Sequence, residues 1–397
     1  MTSASGTERW FGLGYSTAED PGTAGAEAVA AALQGRQAVL LLVFCGIEYD
    51  CHPLLDAVCA GAGRDVAIAG CSTDGQVAGP GPYQGPGGAL VIAFGGAGFS
   101  VRTSVARQAC TRQREAGLTA AGCMDGITAA HRVCLLLADG GMSEQHELVR
   151  GAYAALGAGT PLVGGCAADE MSRGRPYQFH GDEHGAEVLT DAVVGIGLGS
   201  DAPFGIGIAH GWRTSDEPMV VTDSSGGHLR ELDGEPAFDV YMRRLGRAQG
   251  LVPDPEVFDS LVLTWPLGLS RRSGEDIRLV HRGDPATGSL SCHCDIPQGA
   301  LAWVMESDPE SLVLGAKDSV AQAVAGLGGA DPIGLLVFDC GARRALLGDE
   351  TLEQEHTAMA AVAGDVPFGG FYTFGEIART HGARGLHHLT VVTLAIG

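Results

Sequence analysis

One arrangement recurs three times along this chain. An apolar run at residues 39–44 (VLLLVF) leads through a helix-like segment at 53–60 into IAGCSTDGQ and then a second apolar run at 89–94 (ALVIAF). The second copy runs through 133–140 (VCLLLADG), a helix-like 144–155, LVGGCAADE at 162–170 and DAVVGIGLG at 191–199. The third runs through 334–343 (GLLVFDCGAR), a helix-like 352–363, PFGGFYTFGE at 367–376 and LTVVTLAIG at 389–397. Short apolar strands alternating with amphipathic helices predict an α/β or α+β fold with mixed sheets flanked by helices, and the repetition predicts duplicated strand–helix–strand–strand modules.

The turns of these copies carry the polar residues. Gly70-Cys71-Ser72-Thr73-Asp74-Gly75-Gln76 matches Gly370-Phe371-Tyr372-Thr373-Phe374-Gly375-Glu376 as G-x-x-T-x-G-[QE], and the middle copy aligns through Gly165-Cys166 with an acid at Asp169. Ligands of α/β sheets sit at strand ends, so Cys71, Ser72, Thr73, Asp74, Cys166, Asp169, Tyr372, Thr373 and Glu376 are candidate ligand-binding residues. The alternative is that the hydroxyls cap the turns. Arg343, at another strand end, suits a ligand carboxylate, the alternative being a salt bridge to Glu353 or Glu355. The glycines of GIGLG and GIGIAHG alternate within strand-like runs, which predicts close packing between strands rather than a dinucleotide loop.

Composition narrows the chemistry. With 397 residues, 45% of them hydrophobic, the chain is long enough for two domains. Its net charge of −22 argues against nucleic acid as partner. Only one lysine, Lys317, is present, and no P-loop surrounds it. The eleven cysteines are odd in number and irregularly spaced, so no disulfide framework is expected, and Cys292-His293-Cys294 reads as incidental thiols because no second Cys/His pair stands at metal-site spacing. No signal peptide or run of about 18 apolar residues is evident, which predicts a cytoplasmic protein without a membrane span. A hydrolase or transferase using Cys71 or Cys166 is the enzymatic alternative, but no nucleophile elbow supports it, and no catalytic residue is assigned. His210 and His387, at strand ends, are the candidate iron ligands if haem is bound; a histidine in such a place also serves as a hydrogen-bonded structural residue.

The chain resembles the FIST family of bacterial sensory proteins from residue 38 to residue 390. LLVFC, GCSTDGQ, PLVGGCAADE and HGW are similar to the FIST N domain; LDGEPAFDVY, FDCGAR, VPFGGFYTFGEI and LHHLT are similar to the FIST C domain. Gln76 stands where the family often has Glu, and His388 where it often has Asn. On this basis residues 1–30 are expected to be an N-terminal extension, 31–212 a FIST N domain and 213–397 a FIST C domain. The resemblance implies a small-ligand sensor, for an amino-acid-like metabolite held between the two domains, acting on a histidine kinase or a cyclic-di-GMP signalling enzyme. It also implies an alternative, a haem-binding nitric oxide sensor that regulates a histidine kinase.

Overall fold

A computed structural model describes residues 8–83, 85, 87–169, 175–215, 217–249, 258, 262–271, 274–379 and 385–397. The first module holds β1 (Trp10–Ser16), the helix Pro21–Leu33, β2 (Ala38–Gly46), the helix Cys51–Gly61, β3 (Ala67–Thr73), β4 (Gln76–Gly79) and β5 (Ala89–Gly95). The second holds β6 (Phe99–Arg107), the helix Gln113–Ala120, β7 (His131–Asp139), the helix Gln145–Leu156, β8 (Leu162–Ala167), β9 (Gln178–Asp182), β10 (Gly185–Leu189) and β11 (Ala192–Ser200).

The third module opens with β12 (Phe204–Ala209) and is interrupted by an inserted, antiparallel block. That block comprises β13 (Arg213–Thr214), β14 (Met219–Ser225), β15 (His228–Leu232), β16 (Glu235–Pro236), the helix Ala237–Gln249, β17 (Leu267–Arg271), β18 (Gly274–Arg278), β19 (Val280–Asp284), β20 (Ser289–Cys292) and β21 (Leu301–Glu306). The module then resumes with the helix Pro309–Ala325, β22 (Gly334–Cys340), the helix Gly341–Ala363, β23 (Phe368–Thr373), β24 (Glu376–Arg379), β25 (Leu386–His387) and β26 (Val391–Ile396). Aspartates start the helices that follow the opening strands of the first and third modules: Asp20 accepts from the Thr23 N–H at 2.8 Å and Asp308 from the Ser311 N–H at 2.7 Å.

The sheet orders make the repetition explicit. The first module gives β1-β5-β2-β3, the second β6-β11-β7-β8 and the third β12-β26-β22-β23. In each the last pair (β2–β3, β7–β8, β22–β23) is parallel. Each sheet is then extended by a strand from another module: β4 of the first adds to β23 of the third, β24 of the third adds to β8 of the second, and β9 of the second adds to β3 of the first. The exchange closes on itself in a pseudo-threefold ring. Within residues 1–30, expected to be an N-terminal extension, lie the opening strand of the first module and most of its first helix, Pro21–Leu33.

Strand alternation builds two layers of core. Leu40, Leu42 and Phe44 of β2, Leu135 and Leu137 of β7, and Leu336 and Phe338 of β22 meet in one central cluster between the three sheets. Leu41 and Val43 face the helices of the first module, Leu136 faces those of the second, and Leu335 and Val337 those of the third. The alternating glycines serve the outer layer. A Cβ on Gly205 or Gly207 of β12 would lie 2.0 or 1.8 Å from a carbonyl oxygen of the helix Pro309–Ala325, and one on Gly195 would lie 2.0 Å from the Ala120 carbonyl oxygen. The close approach is therefore strand to helix, where strand-to-strand packing was expected.

The parallel pairs also fix the alignment of the copies. Gly70 stands opposite Val43, Gly370 opposite Val337, and Gly164, not Gly165, opposite Leu136. The middle copy is thus Gly164-Gly165-Cys166-Ala167, one residue out of the register its Gly-Cys pair suggests. Its polar terminal residue is Gln178, which pairs with Cys71 as Gln76 pairs with Phe371 and Glu376 with Gly165.

Candidate functional site

The three turns come together, and they bond chiefly to one another. Asp74 N–H donates to the Tyr372 carbonyl (3.3 Å) and Tyr372 N–H to that of Gly75 (2.9 Å). Ala168 N–H donates to the Ser72 carbonyl (3.1 Å), and the Ser72 hydroxyl returns a bond to the Ala168 carbonyl (3.0 Å). Cys166 N–H donates to Gly375 (2.9 Å) and Phe374 N–H to Cys166 (3.0 Å), which closes the ring. Thr73 Oγ1 accepts from Gln76 Nε2 at 2.8 Å, and Thr373 Oγ1 donates to Glu376 Oε1 at 2.7 Å. Each threonine therefore holds the polar residue that ends its own turn.

This knot is enclosed. Cys71, Ser72, Thr73, Cys166, Thr373 and Glu376 have no exposed surface, and Tyr372 is buried with them. Burial pushes the thiols of Cys71 and Cys166 well up, which leaves neither as a ready nucleophile. Glu376 is pushed up by burial, against the pull of Thr373, and its Oε2 accepts from Thr390 N–H at 3.2 Å. Asp74 pairs with Arg344 at 3.2 Å.

Arg343 is placed differently from the ligand-facing role expected for it. Its fully buried guanidinium donates to Asp339 Oδ1 (2.8 Å), the His210 carbonyl (3.0 Å), the Leu312 carbonyl (3.0 Å) and Glu355 Oε1. The salt bridge to Glu355, named from the sequence as the alternative, is the one formed. Those bonds use four of the five guanidinium N–H groups, and the side chain has no exposed surface.

Of the turn residues, Thr373 reaches a large cavity of about 600 Å³. Its walls come from the chain leaving β7 (Gly140, Met142), the end of β22 (Cys340), the third turn (Phe374) and the inserted block (Val280, His281, Cys292, His293), together with Leu279 and His388. It thus opens at the carboxyl ends of two parallel strands, the usual ligand position in such sheets. Gln145 staples its floor, donating from Nε2 to the Gly140 and Phe374 carbonyls at 3.1 Å each, while its buried Oε1 has no partner. Asp169 lines an adjoining cavity of about 410 Å³ with Asp139, Asp191 and Cys110.

Three imidazoles stand in a row on the larger cavity. The His281 and His293 rings are 4.3 Å apart between centroids, and His293 and His388 are 5.6 Å apart. His388 Nε2 lies 3.4 Å from Cys294 Sγ. All three histidines are held below their ordinary range, His293 at about 4, by burial first and then by the adjacent imidazole or arginine charges. They are neutral near pH 7, which leaves each ring one nitrogen lone pair. The candidate iron ligands lie off this row: His387 Nε2 bonds the Ala378 carbonyl at 3.0 Å, and His210 Nδ1 accepts from Trp212 N–H at 2.9 Å. Sequence reasoning missed the row because its members lie on three distant segments; the visible signal was Cys292-His293-Cys294.

The FIST N domain model matches residues 39–235 and the FIST C domain model residues 237–379. The chain belongs to the FIST family. FIST domains are sensory, signal-transduction domains. An uncharacterized protein of Mycobacterium tuberculosis is 27% identical over 392 residues, 96% of this chain and 97% of its own. An uncharacterized Mycobacterium bovis protein is 28% identical over 239 residues (58% and 59%), and one from Methanocaldococcus jannaschii is 28% identical over 172 residues (41% and 32%). The boundary between the FIST N and FIST C matches falls inside the inserted block, so β12, the opening strand of the third module, lies in the FIST N segment. Among the described residues no helix is long and apolar enough to cross a membrane.

Proposed function

We propose that this FIST protein is a small-ligand sensor whose ligand occupies the 600 Å³ cavity between the second and third modules and the inserted block. The observation that carries the reading is the lining: a mostly apolar wall with a few convergent polar groups, of the size that small-molecule sites have. An amino-acid-like metabolite would set its side chain against Met142, Leu279 and Phe374 and its polar end against the imidazoles. It would do so without Arg343. The bound ligand would bias the packing of the inserted block on the core, and through that surface a partner such as a histidine kinase or a cyclic-di-GMP enzyme.

Haem is the second reading, favoured by the neutral imidazoles on an apolar cavity. His281, His293 or His388 fits as the axial ligand better than His210 or His387, and the iron would supply binding of a diatomic gas such as nitric oxide. Thermal-shift screening of amino acids, and absorption spectra after haem addition, test the two readings. Ser143→Trp, which places an indole at the cavity mouth, is expected to abolish the response to either ligand without lowering the melting temperature. A ligand response undiminished in that variant sinks the assignment of the cavity.

A further inference from the structure

With 47 acidic residues against 25 lysines and arginines, a cavity in this chain is expected to be walled by carboxylates. One cavity departs from that. It measures about 350 Å³ and lies between the helix Gln145–Leu156 of the second module and the inserted block. Among the described residues its charged walls are Arg150 from the helix, Arg278 from β18 and a single carboxylate, Asp295. Val149, Ile296 and Leu386, all buried, give it an apolar side.

The two arginines are held differently. Arg278 is 5% exposed; its Nε donates to the Asp295 carbonyl at 3.1 Å and its Nη1 to the Ile277 carbonyl at 2.9 Å. The carboxylate oxygen nearest to it among the described residues, Asp276 Oδ2, stands 3.5 Å from Nη2. A buried cation with five N–H groups thus has two short hydrogen bonds and one long ion pair, and buried charge favours closer pairing. Arg150 reaches across the junction to Asp295 Oδ2 at 2.9 Å, and His146 Nε2, one helical turn earlier, stands 3.4 Å from Asp295 Oδ1. The helix face therefore already holds one carboxylate, supplied by the inserted block.

We propose that this cavity is a binding site for a small organic carboxylate, held by Arg278 and Arg150 with its apolar body on Val149, Ile296 and Leu386. A guanidinium fork fits a planar carboxylate or a phosphate; the apolar side selects the organic anion over the inorganic one. The site goes beyond the sensor reading, because it is separate from the large cavity and gives the same junction a second input. A carboxylate here links Arg150 on the core to Arg278 on the inserted block, and Asp295 competes with it for Arg150.

Isothermal titration calorimetry of the full chain tests this with benzoate as the probe, benzamide as its uncharged counterpart and inorganic phosphate as the rival anion. One equivalent of benzoate is expected to bind, at least about 10-fold tighter than benzamide, which forgoes the charge-assisted hydrogen bonds, and tighter than phosphate. Arg150→Gln, at an exposed position, should weaken benzoate by about 10-fold, and Arg278→Gln should do the same. Melting of each variant establishes folding, and Arg150→Gln decides if Arg278→Gln does not fold. Asp295→Asn should tighten benzoate by about 3-fold, since it removes the competing carboxylate. Ser143→Trp, which blocks the large cavity, should leave benzoate binding intact. Absence of benzoate binding, equal affinity for benzamide, or an affinity unchanged in Arg150→Gln or in Asp295→Asn overturns the proposal, as does loss of binding in Ser143→Trp. Phosphate bound more tightly than benzoate overturns the choice of an organic carboxylate. Responses to amino acids and haem are read separately, so the sensor reading stands or falls on its own.

Discussion

Replacing Arg343 should be among the most damaging single changes in this protein, for reasons that exclude a ligand-binding role. The side chain is fully buried between Asp339 and Glu355, which are also fully buried, and it bonds two backbone carbonyls besides. Arg343→Met leaves two carboxyls without their counter-charge. Breaking a buried pair in this way costs about 3–5 kcal/mol, and at about 2 °C per kcal/mol for a chain of this size the apparent Tm should fall by about 6–10 °C. Glu355→Gln is the informative companion. Among the described residues Asp339 Oδ2 and Glu355 Oε2 each lack a donor, and burial followed by the Asp339 charge pushes Glu355 well up, so Glu355 holds its proton in the fold. An amide at 355 supplies that proton permanently while its oxygen still accepts from Arg343, and should cost about 1 kcal/mol or less. The sign of the pH dependence follows. A carboxyl raised in the folded state contributes stability below its unfolded pKa of about 4.3 and loses it as pH rises toward the folded value. As pH rises above about 4.3, the wild-type Tm should therefore decline more steeply than that of Glu355→Gln, as scanning calorimetry would record. Equal losses in Arg343→Met and Glu355→Gln, or parallel pH slopes for Glu355→Gln and wild type, would refute the protonated state assigned to Glu355. A loss of ligand response in Arg343→Lys at unchanged Tm would restore the ligand role.

The histidine row predicts the opposite pH limb. Its rings are held neutral, so their contribution is full above about pH 6.5 and is lost as pH falls from there toward about 4; His388→Asn should flatten that decline in a melting series. Gly370→Ala places a Cβ 1.7 Å from the Val337 carbonyl oxygen and should cost about 1–3 kcal/mol or more. Gly159→Ala, with nothing within 4 Å, should be near neutral, and chemical denaturation of the two variants makes the comparison. Thr373→Val removes the hydroxyl that donates to buried Glu376 and should cost about 1–3 kcal/mol by the same measurement.

The modules were legible because their signal is local. Continuous apolar runs such as Leu40 to Phe44 and helix-like segments such as 144–155 carry their own pattern, and the shared G-x-x-T-x-G-[QE] turn marked two copies outright. The middle copy was misaligned by one residue because its Gly164-Gly165 doublet offers two registers, and only the pairing with Leu136 chooses between them. Its terminal glutamine, Gln178, was hidden behind an insertion that displaces it in sequence but leaves it in register with Cys71. The bonding of the turns was hidden for a related reason. Gly, Ser, Thr and Asp at a strand end look alike whether they face a ligand or another turn, and nothing short of long-range pairing tells that Ser72 meets Ala168 or that Tyr372 meets Gly75. The histidine row is illegible for the same cause, since residues 281, 293 and 388 converge only through the inserted block.

The strand exchange gives the proposed sensor its coupling. β4, β9 and β24 each leave the knot of turns and complete the sheet of another module, so no module can shift without loading the hydrogen bonds of the next. A core tied in this way is a poor candidate for the moving part. The inserted block is attached differently: it breaks into the third module between β12 and the helix Pro309–Ala325, and packs its own sheet and helix around a separate apolar cluster. The large cavity and the Cys294–His388 contact both lie where that block meets the core. In the proposed sensor, differential ligand contacts made there would act on a junction that, among the described residues, is not stitched by exchanged strands, which is where a few kcal/mol of binding energy would shift the packing equilibrium presented to a partner.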